Sequence, residues 1–343
     1  MIRRSLLIAA SAAMIVIPTA GPAYASPHDH ATYTPAAESE NPWLNQRVMN
    51  MAHSGGESEA PANSLYAFKR AVGLGSDMIE LDIQSTADDD LVVFHDDEVD
   101  DATNGTGDIT SLTTAEVTQL DAAYNFVPDV GTEPGLPEDS YPLRGVRTGD
   151  TAPPEGYAAD DFGVPTLEQV LAEFPDTPIN IEIKGSGFFD GDSFTHNARL
   201  LADVVNASGR TDLIVTSFKD SAISTFHELA PQIGLAPGMG GLAAYVLTGI
   251  KPIDGTVALQ VPVTLYGTMP LATRDFVERA HNDGYAVHFW FSGTAPDDSA
   301  TYNEVIDSCA DGLMPSRPQL LEDILDERGI VRPGSGGTDP CNG

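Results

Sequence analysis

The sequence predicts an α/β protein, a TIM (β/α)8 barrel with an insertion after a strand ending in His-Asp. Three observations predict it. Short apolar, β-branched runs alternate with amphipathic stretches between residues 47 and 328, the pattern of parallel βα units. Eight such runs remain once a single hairpin is set aside. Titratable side chains gather at the C-terminal ends of these runs, where a barrel of this kind carries its chemistry.

The elements follow in chain order. Arg3-Arg4, an apolar stretch from Leu6 to Ile17 and the small-x-small run Ala23-Tyr24-Ala25 read as a signal peptide over residues 1–25, cleaved after Ala25. That reading makes the protein secreted. The apolar stretch is short for a bilayer span, so no stable membrane insertion is expected once it is removed. Residues 26–46 are polar and read as a flexible lead. Strands are expected at 48–52, 78–83, 91–94, 179–183, 213–217, 233–236, 257–261, 286–291 and 312–314, with helices at 64–74, 166–174, 196–208, 220–229, 273–283 and 304–309. Thr166, with Glu168 soon after, has the look of a helix start. Only "QSTADDD" joins the second strand to the third, too little for a parallel crossover, so 91–94 should return antiparallel as a rim hairpin. Residues 97–162 are rich in Pro, Gly and Asp without a sustained period, and read as an insertion capping the mouth. The barrel then runs over 47–328, and 329–343 form a Gly-rich tail. Cys309 and Cys341 are a candidate disulfide tying that tail to the body.

Composition narrows the function. Against 17 basic residues stand 51 acidic ones, a formal charge of −34. Such a surface repels nucleic acid and anionic membranes. It also disfavours a highly anionic polymer as substrate unless metal ions screen the site.

The strand ends supply the chemistry. The first strand ends at His53. The second carries Glu80 and Asp82 two apart, hence on one face. The hairpin ends in His95-Asp96. "NIEIK" places Glu182 and Lys184 on one face and Ile181 and Ile183 on the other. Three carboxylates converging on one mouth call for a cation, and oxygen-only ligands favour Mg²⁺ or Ca²⁺. Two histidines suit acid–base work near neutral pH, and a lysine suits a phosphate. Together they point to metal-assisted phosphodiester hydrolysis.

The ordered pieces "HSGG", "PANSLYAF", "GSDMIELDIQST", "LVVFHDD", "TNGTGDITSLT", "INIEIKG", "VTSF", "HFWFSG" and "DGLMPSRP" resemble the glycerophosphodiester phosphodiesterase family over about residues 47–325. The resemblance implies a TIM barrel with an insertion where 97–162 falls. It implies one divalent cation, Ca²⁺ or Mg²⁺, on Glu80, Asp82 and Glu182. His53 and His95 would be the acid–base pair, Lys184 a phosphate contact and Trp290 part of the pocket. The implied substrates are small glycerophosphodiesters, cleaved to sn-glycerol 3-phosphate and an alcohol. Two positions depart from the pattern. The family's His-Arg-Gly is His-Ser-Gly-Gly here, so Ser54 replaces a phosphate-binding guanidinium and is expected as a substrate contact in its place. The glutamate of Pro-Glu-Asn is Ala62, which Glu57 (or Glu59) would replace at the mouth. Gly55 and Gly56 would let the backbone approach the phosphate, and Asn63, beside the helix cap Ser64, would contact substrate. The alternatives are a phospholipase or sphingomyelinase D-like enzyme on the same barrel, a wall-polymer phosphodiesterase, and an inactive metal-binding barrel.

Overall fold

The computed structural model describes residues 41–44, 47–187, 190–291, 293, 295–330 and 341. The expected signal peptide, most of the polar lead and most of the tail lie outside them.

Strand β1 (Met49–Ala52) leads to α1 (Leu65–Leu74), β2 (Met78–Ser85) and the hairpin return β3 (Leu91–Val93). The insertion holds the short helix α2 (Thr114–Val117) and the ribbon of β4 (Phe126–Val127) and β5 (Gly131–Thr132). Then come α3 (Leu167–Glu173), β6 (Ile179–Ile183), α4 (Gly191–Ser208), β7 (Leu213–Thr216), α5 (Asp220–Leu229), β8 (Gly234–Leu235) and α6 (Met239–Thr248). The last part runs β9 (Ala258–Pro262), the hairpin of β10 (Thr264–Leu265) and β11 (Met269–Pro270), α7 (Arg274–Asn282), β12 (Ala286–Trp290), α8 (Ser299–Asp307), β13 (Gly312–Met314) and α9 (Pro318–Glu327).

Eight parallel strands lie in the order β8-β7-β6-β2-β1-β13-β12-β9. A parallel bridge from Leu235 to Thr256, just before β9, nearly closes the ring. This is the expected (β/α)8 barrel, and β3 returns antiparallel on β2, pairing Val93 with Ile83. Alternation sorts the side chains. Ile79, Leu81, Ile83, Ile179, Ile181, Ile183, Leu213 and Val215 point outward and pack with the covering helices. Met49, Met51, Met78, Ile214, Ala258 and Ala286 fill the interior below the mouth.

Local chemistry explains the helix starts. Ser64 Oγ accepts from Ala67 N at 3.1 Å and caps α1. Thr166 caps α3, but the reciprocal bond comes from Gln169, whose Oε1 lies 3.0 Å from Thr166 N, because the box needs the third helical residue rather than Glu168. Helix α4 starts five residues before the expected position, since Asp190 accepts from Asp192 N and Ser193 N. Asp298 likewise starts α8 at Ser299, ahead of the expected 304. Helices α6 and α9 were not expected. Helix α6 has no charged face to reveal a period, and its first turn is held by Asp220, which accepts from Gly240 N and Gly241 N.

The insertion packs beside the first helix. Tyr66 of α1 stacks on Phe162 with centroids 4.4 Å apart, and Lys69 pairs with Asp161 at 2.8 Å. Arg317 donates to the carbonyl of Asp129 at 2.7 Å. Cys309 and Cys341 form a disulfide. Among the described residues no helix is long and apolar enough to cross a membrane.

One interior group was not anticipated. His288, on β12, is fully buried, and among the described residues neither ring nitrogen has a hydrogen-bond partner. Burial pushes its pKa down to about 4, although Asp311 pulls the other way. The unfolded chain therefore takes up this proton first as pH falls. Stability is intact above about pH 6.5 and is lost by about 3 kcal/mol on the way down to pH 4. His288→Met should flatten that part of the stability–pH curve in urea titrations. Equal slopes for both proteins would refute the assignment.

Candidate active site

The C-terminal end of β1 runs into a tight turn, His53–Gly55. Ser54, Gly55 and Gly56 all have positive φ, at 46°, 81° and 93°. The glycines serve packing. A Cβ on Gly55 would sit 2.7 Å from Ala67 Cβ, and one on Gly56 would sit 2.6 Å from Pro318 Cδ. The turn folds Ser54 back under the mouth. Its N–H donates to Glu80 Oε2 at 2.8 Å and its hydroxyl to Asp82 Oδ2 at 3.2 Å. Asn63, also left-handed at φ 57°, donates from Nδ2 to the same Asp82 oxygen at 2.9 Å. Two non-glycine residues in this region cost roughly 1–3 kcal/mol each. That strain is spent on holding carboxylates, so Ser54 and Asn63 stand behind the acidic cluster rather than at the substrate face.

The β2–β6 register does the rest. Asp82 pairs with Glu182 and Glu80 with Asn180. Oxygen atoms of Glu80, Asp82 and Glu182 lie within 4.8 Å of one another, and all three residues are buried. Lys184 Nζ lies 3.2 Å from Asp82 and 2.8 Å from Glu182. Three carboxylates and one ammonium leave two negative charges, which one divalent ion would balance. The donor set fits such an ion in a second way: among the described residues Glu182 Oε1, though ion-paired with Lys184, receives no well-aligned hydrogen bond. Hard oxygen donors suit Mg²⁺ or Ca²⁺.

The electrostatics are sharply divided. Burial pushes Glu80 up to about 7, aided by Asp82 and Glu182 and opposed by His53. Burial would raise Asp82 too, but Lys184, His95 and His53 hold it well below the usual carboxylate range. Lys184 is held above its ordinary value by Asp82 and Glu182 against the effect of burial.

Each histidine has a carboxylate on Nδ1. His53 Nδ1 is 2.9 Å from Glu57 Oε1, and His95 Nδ1 is 2.6 Å from Asp96 Oδ1. For His53, burial lowers the pKa, yet Glu57 and Glu80 together raise it well above the ordinary value. For His95, Asp82 is the main cause of a raised value. Glu57 is thus a partner of the ring. Glu59 is engaged elsewhere, 2.7 Å from Arg70.

His53, Glu80, His95, Glu182, Lys184 and Trp290 line one cavity of about 300 Å³. Ser54, Glu57, Asn63 and Asp82 are not among its lining residues, and none from 97–162 is, among the described residues. Sequence reasoning gave no role to Phe218, Pro237, Met239, Leu242, Gln260 and Met314, which complete the wall together with Asn180, Thr216 and Ser217. Phe218 and Met314 fall within the motifs "VTSF" and "DGLMPSRP", whereas Pro237, Met239 and Leu242, after β8, and Gln260, within β9, belong to no motif.

The glycerophosphoryl diester phosphodiesterase family profile matches residues 53–315. A glycerophosphodiester phosphodiesterase of Caldanaerobacter subterraneus is 30% identical over 190 residues, covering 54% of this chain and 65% of that protein. The "Probable glycerophosphodiester phosphodiesterase 2" of Mycobacterium tuberculosis is 27% identical over 292 residues, covering 81% of this chain and 91% of that one. The chain thus spans just under two thirds of the first of these relatives and most of the second. Among solved structures, an Oleispira antarctica phosphodiesterase in complex with the product sn-glycerol-3-phosphate superposes with a TM-score of 0.58 at 20% identity, covering 81% of this chain and 96% of that one. The family match spans well over half the chain and every strand that carries a candidate ligand, and so this protein belongs to the glycerophosphoryl diester phosphodiesterase family.

Proposed function

We propose that the protein is a secreted phosphoric diester hydrolase that cleaves glycerophosphodiesters to sn-glycerol 3-phosphate and an alcohol. The supporting observation is that two carboxylate-backed histidines, two of three clustered carboxylates and a lysine share one cavity. Glu80, Asp82 and Glu182 would hold one divalent cation, Ca²⁺ or Mg²⁺. Such an ion, when bound, supplies Lewis-acid neutralisation of the phosphate oxygens. The remaining work belongs to the chain. With Nδ1 of each ring engaged by Glu57 or Asp96, Nε2 is the atom left to move a proton. One ring takes the nucleophile's proton and the other supplies the leaving alcohol. Ser54 stands where the family pattern has arginine, and its hydroxyl serves Asp82, so Lys184 is the residue that meets the phosphate. The bridge between Cys309 and Cys341 supports an oxidising destination.

The test is release of glycerol 3-phosphate from glycerophosphocholine and glycerophosphoethanolamine by the mature protein. Release should require Ca²⁺ or Mg²⁺, stop with EDTA, and fall sharply in His53→Ala. No release with either ion from these or from any other glycerophosphodiester would overturn the reading and favour the inactive barrel.

A further inference from the structure

The mouth of this barrel has two unlike halves. Strands β1, β2 and β6 are neighbours in the ring, and they place Glu80, Asp82 and Glu182 on β2 and β6, with His53 just beyond β1 and Lys184 just beyond β6. The other half is built by β7, β8, β9 and β12, also contiguous through the Leu235–Thr256 bridge. From that half the apolar Phe218, Pro237, Met239, Leu242 and Trp290 reach the cavity, together with the uncharged polar Thr216, Ser217 and Gln260. Phe218 and Trp290 meet edge-on with centroids 6.0 Å apart. The chain carries 51 acidic residues, yet it has no charged residue over 233–250, and none over 255–273, the segments that follow or contain β8 and β9. Phe218 and Met239 remain 38% and 37% exposed, so the apolar wall is open to a ligand. Two charges stand near it: Lys184 Nζ lies 5.6 Å from the Phe218 ring centroid, and the Asp220 carboxylate accepts from Gly240 N and Gly241 N at the start of α6.

A phosphodiester has two arms. With its phosphate at the lysine and the acidic cluster, one arm must lie toward the β7–β12 wall. A hydrocarbon buried there gains by leaving water, whereas a charged head costs desolvation, and the neighbouring Asp220 carboxylate is already engaged by Gly240 N and Gly241 N. We infer, building on the phosphodiesterase reading above, that the preferred substrates carry an uncharged hydrocarbon arm, and that Phe218, Met239 and Trp290 select for it. Choline and ethanolamine esters are then the poorer substrates. The hydrocarbon can come from either side of the phosphate, as an alkyl leaving alcohol or as a short acyl chain on the glycerol.

The test compares kcat/KM for sn-glycero-3-phospho-methanol, -butanol and -hexanol with that for hexanoyl-lysophosphatidylethanolamine below its micellar range. Glycerophosphocholine and glycerophosphoethanolamine are the reference diesters. The product identifies the arm: glycerol 3-phosphate for the alkyl series, acylglycerol phosphate for the lysolipid. Either the alkyl series should rise by about fourfold per buried methylene until the wall is covered, or the lysolipid should exceed glycerophosphoethanolamine by a comparable factor. Phe218→Ser and Met239→Ser should each lower the hexyl-to-methyl (or lysolipid-to-ethanolamine) ratio by roughly tenfold. Both side chains are more than a third exposed, so the folded barrel should carry these changes, which a melting curve checks. A flat alkyl series together with no lysolipid preference, while glycerophosphoethanolamine is still cleaved, overturns this inference alone. A preference for the choline ester does the same. Failure to cleave any diester overturns it together with the activity.

Discussion

Glu80→Gln is expected to end turnover and, in EDTA at pH 8, to raise the melting temperature. The Glu80 carboxyl is buried beside Asp82 and Glu182 and titrates near 7, chiefly through burial. A carboxyl whose folded pKa lies above its unfolded value lets the unfolded chain release the proton first. Its contribution therefore turns against folding as pH rises from about 4.5 to 7, and the cost is complete above that, about 3 kcal/mol. Glutamine keeps an acceptor for the Ser54 N–H, which Glu80 now receives at 2.8 Å, and removes the charge. The variant should melt several degrees above the wild type at pH 8, and the gap should close at pH 4.5. Added Ca²⁺ or Mg²⁺ should raise the melting point of the wild type and have little effect on the variant. A correctly folded variant with an unchanged or lower melting point at pH 8 would mean that the cluster is not strained by its own charge. That result would remove the main reason to place a cation there.

His53→Ala is expected to lower kcat by roughly 10²–10⁴-fold, the range for loss of a general acid or base. The informative companion is Glu57→Gln. Burial lowers the pKa of the ring, and Glu57 is the first of the groups that raise it, with Glu80 next. Removing the Glu57 charge removes part of that push, so the ring gives up its proton at lower pH. If His53 works in its protonated form, the alkaline limb of kcat/KM moves to lower pH in Glu57→Gln. If it works as a neutral base, the acid limb moves instead. A profile superimposable on the wild type would take Glu57 out of the mechanism and leave it as a packing residue. His95→Ala run alongside separates the two rings, since Asp82 rather than Glu57 chiefly governs His95.

Much of this site was legible in the sequence because strand geometry is so constrained. A period of two puts Glu80 with Asp82, and Glu182 with Lys184, on one face whatever the neighbours are. The short link after Ile83 could only turn back. The supports were not legible. Ser54 and Asn63 read as substrate contacts, yet positive φ at both bends them under the mouth to donate to Asp82. Glu57 could be singled out among the carboxylates of "GGESE", but its task of holding Nδ1 of His53 depends on the turn closing over four residues. Helix α6 escaped because an uncharged helix shows no polar face.

The sequence by itself determined the barrel, its order of strands and the acidic and histidine strand ends, because alternation and loop length act locally and leave few solutions. Only the tertiary structure decided which residues stand in front of the carboxylates and which behind. It alone brought the apolar residues after β7 and β8 and at the end of β12 into one wall facing them. Those relations join strands that are far apart in the chain, and they follow from ring closure and packing rather than from any local spacing.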